Sequence, residues 1–215
     1  YAHSKAWQRL DDSLVGLEQS RLEAILDEQE LPYDWSAQVI EEATIDDLDA
    51  DAIQLARDGY KQRYPKFATE CDTWTDKTFL DKASLTIEGK ITRATLLLVG
   101  KEEKAHKLHH IAQIVWKCFQ DGQTFGDIYT IPFIRSTSEL LNRIRNYRFK
   151  IYPKNSLIPA EVWKYDTESI LEGLHNSIAH QRYESGARIV VTEDKDKLTF
   201  QNEGSFYEGT YYQYI

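Results

Sequence analysis

Glu172, Asn176 and His180 stand four residues apart. Each step of four advances about 40° around a helix, so the three share one polar stripe, one turn apart. A carboxylate in such a stripe can orient or deprotonate water. An amide oxygen can complete the shell of Mg²⁺, which takes oxygen ligands and usually keeps several waters and substrate phosphates. An imidazole can meet a phosphate as a donor. The same residues also read as the exposed face of an amphipathic helix with His180 near its C-terminus, since polar stripes are what surface helices carry. Both readings are open at this level.

The elements around the stripe decide what it can face. Asp166 is positioned as an N-cap, and Glu168 in the first turn complements the helix dipole. Ile170, Leu171, Leu174 and Ile178 recur at helical spacing and are expected to face the core. Residues 188–193 (RIVVTE) and 197–202 (KLTFQN) read as two strands around the polar turn Asp194-Lys195-Asp196, and Asn202-Glu203-Gly204 closes the second.

A helix bearing Glu-x-x-x-Asn-x-x-x-His, followed by two strands and a Gly turn, resembles the ATP-binding fold of gyrase, heat-shock chaperones, histidine kinases and MutL. LEGLHNSIAHQRY followed by RIVVTEDKDKLTFQNEGSF is similar, more closely, to the truncated ATPase-like segment of bacterial RecG-related helicases and transcriptional regulators. Those proteins carry a Schlafen AlbA-type DNA-binding domain at the N-terminus. The resemblance runs through residues 31–207 and is most specific from Glu172 to Tyr183. It implies Glu172 as the water-activating carboxylate, Asn176 as a Mg²⁺ ligand and His180 near the phosphates. It places Asn202 and Gly204 in the turn that reads adenine. It implies ATP and Mg²⁺ as cofactors, a cytoplasmic regulator, DNA as a partner through a domain outside this chain, and a homo-oligomer. The sequence departs from the family in one respect. The family's Asp-x-Gly-x-Gly box reads the adenine amino group with its Asp, where this chain has Asn202-Glu203-Gly204-Ser205. An amide oxygen can still accept from an adenine edge. No second Gly-rich lid follows before Ile215.

Size and charge narrow the classes. With 215 residues the chain holds one large domain or two small ones. No apolar run approaches the ~18 residues of a spanning helix, and no signal peptide is visible, so no membrane partner is expected. The start at Tyr1 reads as that of a fragment. A formal net charge of −9 makes this piece a poor main grip on DNA, whose affinity comes largely from neutralising phosphates. Cys71 and Cys118 lack metal-ligand spacing and read as packing residues in a reducing cytoplasm.

The expected class is α+β: a helical part over 1–84, then a mixed sheet with helices over 85–215. Leu10, Leu14, Leu17, Leu22, Ile25 and Leu26 form a helical stripe with Arg21 at its edge. Pro32 breaks it, and residues 38–43 read as a short strand. Asp46 or Asp47 is expected to cap a helix that Pro65 ends. The aspartates there lack the Gly and Glu of a calcium loop and read as a solvated helix start. A short helix over 75–83 precedes a turn at Glu88-Gly89. Gly100-Lys101 lacks the rest of a phosphate loop. His106, His109 and His110 lack partners at metal-site spacing and read as exposed or strand-edge histidines. Residues 111–119 alternate as a strand that buries Ala112, Ile114, Trp116 and Cys118. A strand over 127–133 and a helix over 136–146, with Ser136 and Glu139 as a capping box, come next. Arg143, Arg145, Arg148, Lys150 and Lys154 read either as a solvated face balancing acids or as a phosphate contact. Two functions remain: an ATPase-like regulatory fragment binding Mg-ATP, or a non-catalytic scaffold for dimerisation or partner contact. No helicase motor signature is present.

Overall fold

The computed structural model describes residues 34–154 and 158–204, with the backbone of two short strands before them. The chain divides into two compact units, 1–34 and 35–215. In the first, β1 (Trp7–Leu10) pairs antiparallel with β2 (Ser13–Gly16). Leu10 and Leu14 therefore lie in a hairpin and not on the expected helix. Trp7 and Val15 favour extended backbone, and Gly16 weakens a helix. The rest of that stripe, from Leu17 to Leu26, lies outside the described residues.

The second unit opens with helices. A 3-10 turn at Ile45–Asp47 leads to α1 (Ala50–Arg63). The cap of α1 is Asp49, whose carboxylate accepts from the Ala52 amide at 2.8 Å. Asp47 instead closes the 3-10 turn, accepting from the Thr44 amide at 2.9 Å. After Pro65 come α2 (Ala68–Cys71) and α3 (Asp76–Lys82), the latter capped by Thr75. Buried Arg57 joins the three helices. Its Nη1 donates to the Cys71 carbonyl at 2.8 Å, its Nη2 to Asp76 at 2.8 Å, and its guanidinium lies 4.7 Å from the Phe79 ring. The hairpin β3 (Thr86–Ile87) and β4 (Lys90–Ile91) turns at Glu88-Gly89, and α4 (Arg93–Val99) follows a Thr92 cap. The strand expected over 38–43 is reduced to one bridge between Val39 and Thr92.

Asp47 sets a pH dependence. It is buried, pairs with Lys107 at 2.7 Å and lies 3.3 Å from Lys104. Burial pushes its carboxyl upward. The hydrogen bonds from Lys107, the Thr44 amide and Lys104 outweigh that and hold it well below the usual carboxylate range. A carboxyl depressed in the folded state contributes stability that is full above its unfolded pKa of about 3.9 and is lost as pH falls below that value. Asp47→Asn is expected to cost about 2 kcal/mol at pH 7, through the weakened bond to the Thr44 amide and the lost charge-assisted bonds to Lys107 and Lys104. It should cost much less at pH 2. Urea midpoints for both chains at the two pH values check this. An equal cost at both would show that the carboxylate charge is not what Asp47 contributes.

The second half of the unit is built on one mixed sheet. Its strands are β5 (Ile114–Gln120), β6 (Gln123–Tyr129), β9 (Ile189–Glu193) and β10 (Leu198–Gln201), in the order β10-β9-β5-β6. β5 and β9 are parallel, and the outer pairs are antiparallel. Between β6 and β9 the chain forms α5 (Phe133–Arg143), a separate hairpin of β7 (Arg148–Ile151) with β8 (Ala160–Trp163), and α6 (Thr167–Ala179). The strand expected over 127–133 ends at Tyr129. α5 starts at Phe133, just after Pro132, three residues ahead of the expected start. Ser136 is consequently inside the helix, where its hydroxyl donates to the Thr130 carbonyl and caps nothing.

Alternation fixes the two faces of the sheet. Ile114, Trp116, Cys118, Ile189 and Val191 are buried on the face that carries α5 and α6. Phe119 and Ile128 are exposed on the other. One hydrophobic core runs from Trp35 to Val191. The boundary expected between residues 84 and 85 falls inside this core. Trp35 shows why: its ring stacks 4.5 Å from Tyr183 and lies 5.2 Å from the Arg93 guanidinium, and its indole N–H donates to His110 Nδ1 at 3.2 Å. The class is α+β, helices first and strands after.

Candidate functional site

The stripe residues ride on α6. Asp166 caps it, accepting from the Ser169 amide at 2.9 Å. Ile170, Leu174 and Ile178 are buried beneath it. Gly173 lets the helix lie low over the sheet, because a Cβ there would come within 2.9 Å of the Phe200 ring. With that face buried, the opposite one is exposed. Glu172 and Asn176 lie on it, and their side chains make no hydrogen bond or ion pair among the described residues. His180 is the C-cap, half-buried, its amide donating to the Asn176 carbonyl at 2.9 Å.

Past the helix, the chain end of β10 is fastened to this cap. Asn202 Nδ2 donates to the His180 carbonyl at 3.0 Å. The Glu203 amide donates to Gln181 Oε1 at 2.9 Å, and the Arg182 amide donates to the Glu203 carbonyl. A carbonyl can only accept, so the Asn202 amide nitrogen must face His180, which leaves Oδ1 as an acceptor on the other side. Gly204 has φ 148°, and a Cβ on it would stand 1.7 Å from the His180 oxygen. The structure therefore brings Asn202 and Gly204 up against the His180 carbonyl, the first through its side-chain amide and the second through close backbone approach. Glu172 and Asn176 follow toward the N-terminus of the same stripe, two turns and one turn away.

Gln181 escaped the sequence reading. It is buried, and its Nε2 donates to the Ala187 carbonyl at 3.0 Å while its Oε1 holds Glu203. The available signal was a polar residue just past a helix end, where orphan backbone groups need partners. Tyr183 closes the same junction: its hydroxyl donates to the Ile178 carbonyl at 2.9 Å, and burial pushes its pKa up.

Elsewhere the candidates resolve into structural roles. Arg143 pairs with Asp127 at 3.0 Å over the Trp116 ring, Arg145 with buried Glu193 at 2.8 Å, and Arg148 lies 4.5 Å from the Trp163 ring and 4.0 Å from Glu161. Most of the basic cluster thus balances acids and rings. Both cysteines are buried free thiols, and burial followed by the Glu193 charge raises Cys118. Among the described residues no three His, Cys, Asp or Glu side chains are grouped to hold a metal, and no helix is long and apolar enough to cross a membrane. A shallow cleft of about 600 Å³ lies between the β5–β6 and β9–β10 turns, and one of about 330 Å³ between Thr44, Lys77, Leu80 and Ile91. Neither is lined by Glu172, Asn176 or His180.

A family model for a domain of unknown function (DUF8451) matches residues 23–114. That stretch holds α1 to α4 and ends where the sheet begins. No curated protein matches the chain. A crystal structure of the DIP2311 protein from Corynebacterium diphtheriae shares the fold, with TM-score 0.60 and 18% identity over 94% of this chain. This chain spans 39% of that protein's length.

Proposed function

We propose that residues 167–204 form the nucleotide-facing part of an ATPase-like domain in a DNA-binding regulator, with the gyrase and histidine-kinase type of fold and Mg-ATP as its ligand. The observation that carries this reading is the exposed pair of Glu172 and Asn176, two oxygen-bearing side chains one turn apart with no partner among the described residues. They stand on a helix whose end is locked to the β10 turn. The donor set fits Mg²⁺, which takes hard oxygen ligands and retains waters. When bound, the ion would neutralise charge on the phosphates. Asn176 would hold it through its side-chain oxygen, and Glu172 would orient a water. Asn202 Oδ1, aimed by the bond its own nitrogen makes to His180, would accept from the adenine amino group.

Calorimetric titration with Mg-ATP tests this. Binding is expected in the wild type, and Asn176→Ala should weaken it by about tenfold or more. Glu172→Gln should leave binding in place and abolish turnover. No heat at millimolar nucleotide would remove the reading. It would leave the second, a partner-binding scaffold. The β7–β8 hairpin favours that one, since it exposes Phe149, Ile151 and Trp163 from a ribbon outside the main sheet.

A further inference from the structure

We propose that β6 is a self-pairing edge, joining two copies of this chain into one continuous antiparallel sheet across a two-fold axis at Gly126. The inference deepens the scaffold reading by naming the partner and the strand, and it is independent of nucleotide.

The main-chain geometry carries it. Among the described residues β6 is the last strand of the sheet, and residues 123–128 are all exposed. Its hairpin with β5 turns on Asp121 and Gly122, both at positive φ (51° and 75°), as a two-residue primed turn requires. The pair flanking such a turn, Gln120 and Gln123, is hydrogen-bonded, and pairs alternate from there. Gln123, Phe125, Asp127 and Tyr129 therefore bond to β5. Thr124, Gly126 and Ile128 send their N–H and C=O groups to the open edge.

Those three residues are symmetric about Gly126. In an antiparallel pairing with a second copy, Gly126 meets Gly126 of the other chain, and Thr124 meets Ile128 twice. Every outward group then finds a partner, about six bonds in all. A shift by two residues loses bonds in either direction, and in one direction it sets Asp127 against its own copy. The central register is thus favoured by bond count and by charge.

The side chains agree. On the open sheet face, Ile128 is 60% exposed and Phe119 44% exposed. Phe119 pairs with Thr124, and Val115 with Ile128. The two-fold axis would place Ile128 of one copy beside Thr124 of the other, making one apolar row from Val115 to Phe119 across the seam. β6 also lacks the usual edge protection: it contains no Pro or Lys. Its one charge, Asp127, is already engaged by Arg143. A single strand edge is small for an interface, so the dimer is expected to be micromolar or weaker.

Sedimentation equilibrium across a wide concentration range is the test, with two variants that leave the β5 ladder intact. Thr124→Pro removes one outward donor, and an edge strand tolerates Pro there. Symmetry counts the lost bond twice, so dimerisation should weaken about thirtyfold. Ile128→Lys should weaken it at least as much. The double variant T124C/I128C should form an inter-chain disulfide under mild oxidation, which answers the question even if the other two misfold. A chain monomeric at every concentration with no disulfide would overturn the pairing. A dimer indifferent to both single variants, and uncrosslinked, would also overturn it while leaving the scaffold reading intact.

Discussion

Replacing Arg145 by alanine is expected to destabilise the chain by about 3 kcal/mol, far more than any other substitution in the basic cluster. The reason lies in its partner. Glu193 ends β9 on the covered face of the sheet and is 0% exposed. Its carboxylate accepts from Arg145 Nε at 2.8 Å and from the Arg145 amide at 3.3 Å. Removing the guanidinium leaves a buried carboxylate with one backbone donor, and desolvation of that charge dominates the cost. Arg143→Ala breaks a pair in which both side chains are about half exposed, at 53% and 48%, and should cost at most about 1 kcal/mol. Converting both Arg145 and Glu193 to leucine should recover most of the loss, because the penalty belongs to the orphaned charge and not to the missing contact. Urea denaturation of the four chains measures all of this. A loss under about 1 kcal/mol for Arg145→Ala would mean that water reaches Glu193 and that the pair behaves as a surface one.

Glu193 also marks where sequence reading reaches its limit. Period-two alternation places it on the same face as Ile189 and Val191, so its inward direction was legible. A carboxylate at a strand end still reads as solvated. What buries it is an arginine 48 residues away in the chain. The elements set by local chemistry were legible in the same way: the Asp166 cap, the Ile170–Leu174–Ile178 stripe, the buried face of β5 and the turn at Glu88-Gly89. Where several residues could do one job, tertiary contacts chose. Asp46, Asp47 and Asp49 are all good caps. Asp49 takes the role because its amide donates to the Val99 carbonyl at 2.8 Å and its carboxylate accepts from Arg135 at 2.7 Å. The site divides similarly. The Glu172–Asn176–His180 stripe follows from helical spacing alone. The clamp between residues 180–182 and 202–204 does not, because it rests on the buried amide of Gln181 and on a backbone approach at Gly204.

Gly204→Ala is expected to lower the melting temperature by about 6–12 °C, for a cost of about 3 kcal/mol in a chain of this size. Two penalties act together. The residue sits at φ 148°, which L side chains rarely adopt, and the new Cβ would lie 1.7 Å from the His180 carbonyl oxygen. That obstacle is backbone, so no rotamer change relieves it. The turn must lift off the helix end, and the Asn202–His180 and Glu203–Gln181 bonds go with it. Amide exchange at Arg182 and Glu203 should quicken well before the rest of the sheet opens. Gly59→Ala is the control: it lies inside α1 with no atom of the described residues within 4 Å of the added carbon, and should be neutral or slightly stabilising. The measurement also separates two roles for the glycine. A residue kept only to let a ligand approach would lose Mg-ATP affinity on substitution while holding its melting temperature. A residue that lets β10 reach the cap of α6 must lose stability first. An unchanged melting temperature with unchanged exchange at both amides would sink the clamp. It would also leave Asn202 without the fixed orientation that aims its oxygen away from His180.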